Sequence, residues 1–242
     1  ISNGLSDVAI YFDYDADAAW NVQPTGEGLN YFQLIMDHYR TFRRLGLNVD
    51  FVHKNTEDFS GYKLISVVGA IHISTDLISR ISKAMATLVF GPRTGARVGN
   101  MQIPKNLPPQ INLVKSRILR VETLPSNVSL EIDPVGRADR YIETIKVDNN
   151  ASPYLKLKSG QVIATKEESG AIYLASMIDQ EGLAAFYKKL FKEIKLDFLL
   201  MPDGIRRRST ENEEFWFNYN NQVVQTKIGE MKPADIIRLP RV

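Results

Sequence analysis

The 242-residue sequence has no cysteine. Disulfides, thiolate metal sites and a cysteine nucleophile are excluded together. Histidine is scarce, and His38, His53 and His72 stand too far apart to form a ligand pair at helical spacing. Neither sign of charge dominates, since 30 Lys+Arg against 28 Asp+Glu leave +2. That balance argues against a nucleic-acid or other polyanion partner. Long apolar runs are missing too. The longest nearly unbroken one, Leu64 to Ile71, falls well short of the ~20 residues that a membrane span requires. No membrane partner is expected, no signal peptide is visible, and the cytoplasm is the expected compartment. The chain starts at Ile1 rather than methionine, as a processed or excised chain would.

What is present is an ordinary globular composition, 44% hydrophobic and 24% charged, sufficient for one or two domains. Val8 to Tyr14 reads as a buried strand, and Asp15 to Glu27 as a long loop broken by Pro24, Gly26 and Gly28. From Leu29 to Leu45, apolar residues recur at three- and four-residue steps, which predicts a helix stopped by Gly46. Short strands follow at Val49–Val52 and Leu64–Val68. A helix capped by Ser74 comes next, then a strand at Ala86–Phe90. This alternation predicts a parallel sheet covered by helices. Gly91 to Pro109 reads as a long loop with a short helical turn. Ile118 to Ile145 reads as short β segments, and Gln161–Thr165 with Ala171–Ala175 as a hairpin. Gln180 to Lys195 is a second amphipathic helix with Asp179 as its N-cap. A boundary falls near Met201-Pro-Asp-Gly204. Beyond it Ile205–Arg208, Glu214–Asn218 and Gln222–Thr226 read as strands, with Asn220-Asn221 turning between the last two.

Ligands of such sheets bind at the carboxyl ends of the strands. The loop after the first strand holds Asp13, Asp15 and Asp17 and no glycine, which would repel a phosphate or flavin. The same spacing fails as an EF-hand loop, because positions six and twelve are Ala18 and Pro24. No Gly-x-Ser-x-Gly elbow is present. No cofactor and no metal are therefore expected. His72, just past the third strand, is the one histidine placed where such folds put catalytic groups. Trp20, Tyr31 and Trp216 would suit a sugar-stacking face, although aromatic residues more often fill cores or interfaces.

Several motifs then occur in one order. Phe12-Asp-Tyr14, Trp20 and Gln23-Pro-x-Gly26 lead to Tyr31 and Tyr39-Arg40. Gly46 to His53, Asp58 to Leu64 and Thr87 to Gly95 follow, and the series ends with Ala171–Leu174 and Leu200–Ile205. In this the chain resembles the post-barrel region of glycoside hydrolase family 42 β-galactosidases, most densely over residues 8–95. It departs from that pattern at Met85-Ala86, where a Gly-Gly is usual, and at Pro108–Ile111.

The resemblance implies a flavodoxin-like α/β domain over residues 1–200, similar in fold to class I glutamine amidotransferases, and a small antiparallel β domain over 201–242. It implies a non-catalytic oligomerisation region of a β-galactosidase, a homotrimer, and a catalytic (β/α) barrel elsewhere in the parent protein. A barrel needs about 250 residues by itself, so the family's two catalytic glutamates have no counterpart here. The alternative is an independent flavodoxin-like module that binds a ligand or carbohydrate. The interface candidates are Trp20, Tyr31 and Arg93. Loops after the first and fourth strands of a parallel sheet emerge at one edge, and interfaces enrich Trp and Arg.

Overall fold

The computed structural model describes residues 5–241. β1 (Val8–Tyr11) is buried at every position. Its alternate residues face opposite ways: Val8 and Ile10 enter one core, Ala9 and Tyr11 another. The segment expected to be a long loop instead forms α1 (Tyr14–Val22). Asp13 caps it by accepting from the Asp15 N–H, and Asp15 and Asp17 oppose the helix dipole in the first turn. Ala16 and Trp20 make its buried stripe. Pro24, Gly26 and Gly28 all lie beyond its last turn, so they end the helix rather than prevent it.

α2 (Tyr31–Arg44), capped by Asn30, runs to β2 (Val49–Val52). β3 (Leu64–Val67) leads through the Ser74 cap into α3 (Thr75–Lys83) and then β4 (Thr87–Phe90). The 91–109 segment is irregular, with one 3₁₀ turn at Gly99–Met101. β5 (Arg117–Thr123), β6 (Leu130–Asp133), β7 (Arg137–Lys146), β8 (Ser152–Leu157), β9 (Val162–Lys166), β10 (Ile172–Leu174) and β11 (Ser176–Ile178) follow. α4 (Gln180–Glu193), capped by Asp179, closes the main unit.

The large sheet has the order β2-β1-β3-β4-β10-β9-β8-β6-β7-β11, with β5 added on β7. The expected parallel sheet is present from β2 to β10. From β9 onward every pairing is antiparallel. The links between β8, β9 and β10 are too short for the crossover that a parallel pair requires. The predicted 161–175 hairpin is present, with Tyr173 opposite Thr165. One core holds α1, α2 and α4 against the sheet, through Trp20, Tyr31, Phe42, Phe186 and Tyr187. The other holds α3 and residues 111–118. The architecture is therefore a mixed α/β sheet with helices on both faces.

The C-terminal residues form two small antiparallel sheets. One orders β12 (Ile205–Ser209), β13 (Glu213–Asn218) and, beyond two intervening strands, β16 (Ile236–Pro240) as β12-β13-β16. The other pairs β14 (Val224–Thr226) with β15 (Gly229–Met231). Asn220-Asn221 thus does not join two paired strands, since β13 pairs with β16 and not β14. Met201, Ile205, Trp216 and Met231 make a separate small core. Arg207 ties this unit to the main one by donating to the Gly46 carbonyl. Among the described residues no helix is long and apolar enough to cross a membrane.

Candidate functional site

The chain passes from β1 to β2 on one side and returns to β3 on the other, so a crevice opens between the carboxyl ends of β1 and β3. Trp20 fills it. The indole is fully buried, and its Nε1 donates to the Gly69 carbonyl at 2.9 Å. Gly69 has φ +70°, and a Cβ there would stand 2.9 Å from the Tyr31 ring, so the backbone turn and the aromatic pair require glycine. Tyr31 lies 6.2 Å from Trp20, centroid to centroid, and its hydroxyl accepts from the Asp13 N–H.

The loop after β4 adds Arg93. Its guanidinium carbon sits 4.2 Å from the Trp20 ring centroid, a cation–π contact inside the protein. Arg93 Nη2 donates to the Gln23 carbonyl, whereas Nη1 is buried with no hydrogen-bond partner among the described residues. The residue holds φ +64°, a left-handed conformation that costs a non-glycine residue about 1 kcal/mol or more. Its own N–H, donated to Glu143 Oε1 at 2.9 Å, helps to hold it there.

Glu143, on β7, is buried in the main unit. The Tyr141 hydroxyl donates to Oε1 at 3.1 Å and the Tyr173 hydroxyl to Oε2 at 2.8 Å. Burial pushes its carboxyl up to about 7, against the pull of these three donors and of the Arg93 charge. Tyr141 and Tyr173 are pushed well up by burial and by the Glu143 charge, so they remain neutral donors.

A cavity of about 400 Å³ adjoins this network. Glu143 is its only acid among the described residues. Arg93, Arg97 and Lys105 are its bases, and Ile71, Ile103, Leu107 and Val121 are among its apolar walls. Glycoside hydrolysis uses two carboxylates across the scissile bond, and this cavity has one, already bound by three donors. His72 lines a different hollow that contains no carboxylate. Burial drives His38 down to about 3, with Nδ1 2.7 Å from the Tyr187 hydroxyl, and His53 is exposed beside β2. Among the described residues no group of three His, Asp or Glu side chains could hold a metal ion.

The three interface candidates are therefore brought together, but inside the chain. Trp20 and Tyr31 have no exposed surface, and Arg93 has 6%. Trp216 is also buried, so none of the three supposed sugar-stacking rings faces solvent. Glu143, Tyr141 and Tyr173 were not expected from the sequence. Their only trace there is the two-residue spacing of Tyr141 and Glu143, which puts both on one face of a strand.

Fold and interior together define an α/β domain whose strand-end crevice is closed by its own aromatic and arginine side chains. Residues 6–197 match the family model of the β-galactosidase trimerisation domain, and the chain belongs to that family. It is 32% identical over 227 residues to the β-galactosidase BgaA of a Thermus species, a match spanning 92% of this chain and 35% of that protein. It is 31% identical to the β-galactosidase of Thermus thermophilus, with the same coverage. Among solved structures, the β-galactosidase of the psychrophilic Marinomonas ef1 superposes with a TM-score of 0.89 at 31% identity, over 96% of this chain and 37% of that one. That of the Antarctic haloarchaeon Halorubrum lacusprofundi gives 0.89 at 20% identity, over 99% of this chain and 40% of that one, which shows the fold alone. The chain thus spans about a third of the length of the curated relatives it matches. The family resemblance read from the motifs is borne out.

Proposed function

We propose that this chain is the non-catalytic self-association region of a glycoside hydrolase that cleaves terminal β-D-galactosides, and that it assembles as a homotrimer. The observation that carries the reading is the family match over residues 6–197. The relatives bear the name β-galactosidase, and about two-thirds of their length lies outside the matched stretch. The catalytic barrel with its two glutamates is assigned to that part. A cavity with a single, fully bound carboxylate fits this division of labour.

The finer fold assignment is flavodoxin-like. It is supported by the parallel order β2-β1-β3-β4-β10, which corresponds to the 2-1-3-4-5 arrangement of that fold. The domain boundary is placed at 200/201, supported by the separate small core around Trp216. Trp20, Tyr31 and Arg93 are given a role beneath the interface: they hold the loops after β1, β3 and β4 in shape. An independent carbohydrate-binding module has less support, because its candidate aromatic rings are buried.

Incubation with a chromogenic β-galactoside tests the catalytic half of the reading. No turnover above a buffer blank is expected, and turnover that survives repurification would refute it.

A further inference from the structure

Resting on the self-association reading, we propose that the cavity beside Arg93 is the receiving half of the contact between copies. The acidic, aromatic first turn of α1 from the next copy enters it. The rim of the cavity is apolar and open. Ile103 is 77% exposed, Val121 51% and Leu107 48%, and Val22, next to the cavity-lining Gln23, is 80% exposed. Single exposed apolar side chains are ordinary, but several around one hollow mark a contact site.

The floor supplies chemistry. Arg93 Nη1 is a buried N–H with no acceptor among the described residues. Leaving such a donor unpaired is costly, and an entering oxygen would relieve it. Arg97 and Lys105 line the same hollow, while the charge of Glu143 is turned onto the Arg93 N–H and two phenols. The hollow is thus cationic, apolar-rimmed and short of an acceptor. β5, which supplies Val121, lies at a sheet margin and, among the described residues, pairs only with β7.

The complementary patch is on the same chain. α1 starts with Tyr14, 81% exposed, followed by Asp15 and Asp17. Phe32 and Phe51 are half-exposed beside Tyr14, in one hollow with it. Among the described residues Asp15 is held by an exposed pair with Lys54 at 2.6 Å, which a partner guanidinium can share. The nine residues of α1 span about 13 Å. The entering turn and the receiving rim therefore lie at opposite ends of one helix, both over the carboxyl ends of the strands. Two unlike patches so placed make a heterologous contact, and such a contact closes as a ring when the rotation is right.

Sedimentation velocity of the full 242-residue chain over a micromolar concentration series tests this. Ile103→Glu puts a carboxylate into the rim, and it is expected to raise the concentration at which the trimer forms by at least about tenfold. Met85→Glu, at a site 95% exposed beside the opposite end of β4, is expected to assemble like the wild type. Asp15→Lys and Arg97→Glu are each expected to weaken assembly, and the double variant to recover most of it. Unchanged melting temperatures confirm that each variant is folded. If the wild type is a trimer and Ile103→Glu matches it, or Met85→Glu weakens it equally, the docking cavity is refuted and self-association stands. If the single charge variants weaken assembly and the double variant does not recover, the α1 partner is refuted. A monomeric wild type refutes the self-association reading itself, and this proposal with it.

Discussion

Replacing Glu143 by glutamine keeps the shape of the buried network and removes its titration. The free carboxyl has an ordinary value of 4.5, and in the folded chain burial raises it to about 7. Between those values the folded state binds a proton that the unfolded state has released, so stability falls as pH rises through the window. The gap, at about 1.4 kcal/mol per pH unit, sets a ceiling of about 3 kcal/mol. Between pH 5 and pH 8 the loss is about 2.5 kcal/mol, because part of the titration of the unfolded chain lies below pH 5. Glu143→Gln removes this slope. The difference in unfolding free energy, wild type minus variant, should therefore move by about 2.5 kcal/mol in favour of the variant from pH 5 to pH 8. In a chain of this size that corresponds to roughly 5–10 °C in melting temperature. Urea unfolding followed by tryptophan fluorescence at the two pH values reads it directly. Parallel pH profiles for the two proteins would instead show that Glu143 stays ionised across the range and that its three donors outweigh burial.

Other perturbations bear on the same interior. Trp20→Ala should cost about 3–5 kcal/mol by leaving a large cavity, and Trp20→Phe about 1–3 kcal/mol, because the buried Gly69 carbonyl loses its donor. Urea midpoints check both. His38 titrates near its ordinary 6.5 when unfolded but is held at about 3 when folded. The unfolded state therefore takes up a proton first, and the contribution of His38 is complete above 6.5 and is lost as pH falls. From neutral pH to pH 5 the His38 contribution alone falls by about 2 kcal/mol, against the opposite change at Glu143, so the unfolding free energy of His38→Gln should gain about 2 kcal/mol on that of the wild type over this range in the same measurement.

Much of the fold was legible because local signals agreed with packing. Asn30, Ser74 and Asp179 all cap helices, and the apolar steps of α2 and α4 became buried stripes. α1 was missed because its breakers cluster just past its end, and because Asp13, Asp15 and Asp17 read as a repelling loop rather than as a cap and a charged first turn. The antiparallel half of the sheet was only partly legible. Strands such as β6 and β11 are four and three residues long and owe their existence to long-range pairing. The candidate site was legible in its parts, Trp20, Tyr31 and Arg93, but not in its orientation. Composition marks Trp and Arg as interface types, whereas only the tertiary structure shows Trp20 bonded to Gly69 and Arg93 stacked on it from within. Glu143 left only its two-residue spacing from Tyr141, which puts the pair on one face of a strand but carries no signal of its burial.

Assembly of this chain with copies of itself sets its mass in solution. Light scattering on the eluting peak of a size-exclusion column, at high micromolar concentration, should give three times the 27.4 kDa chain mass. A single species at the monomer mass, unchanged as concentration rises, would contradict it.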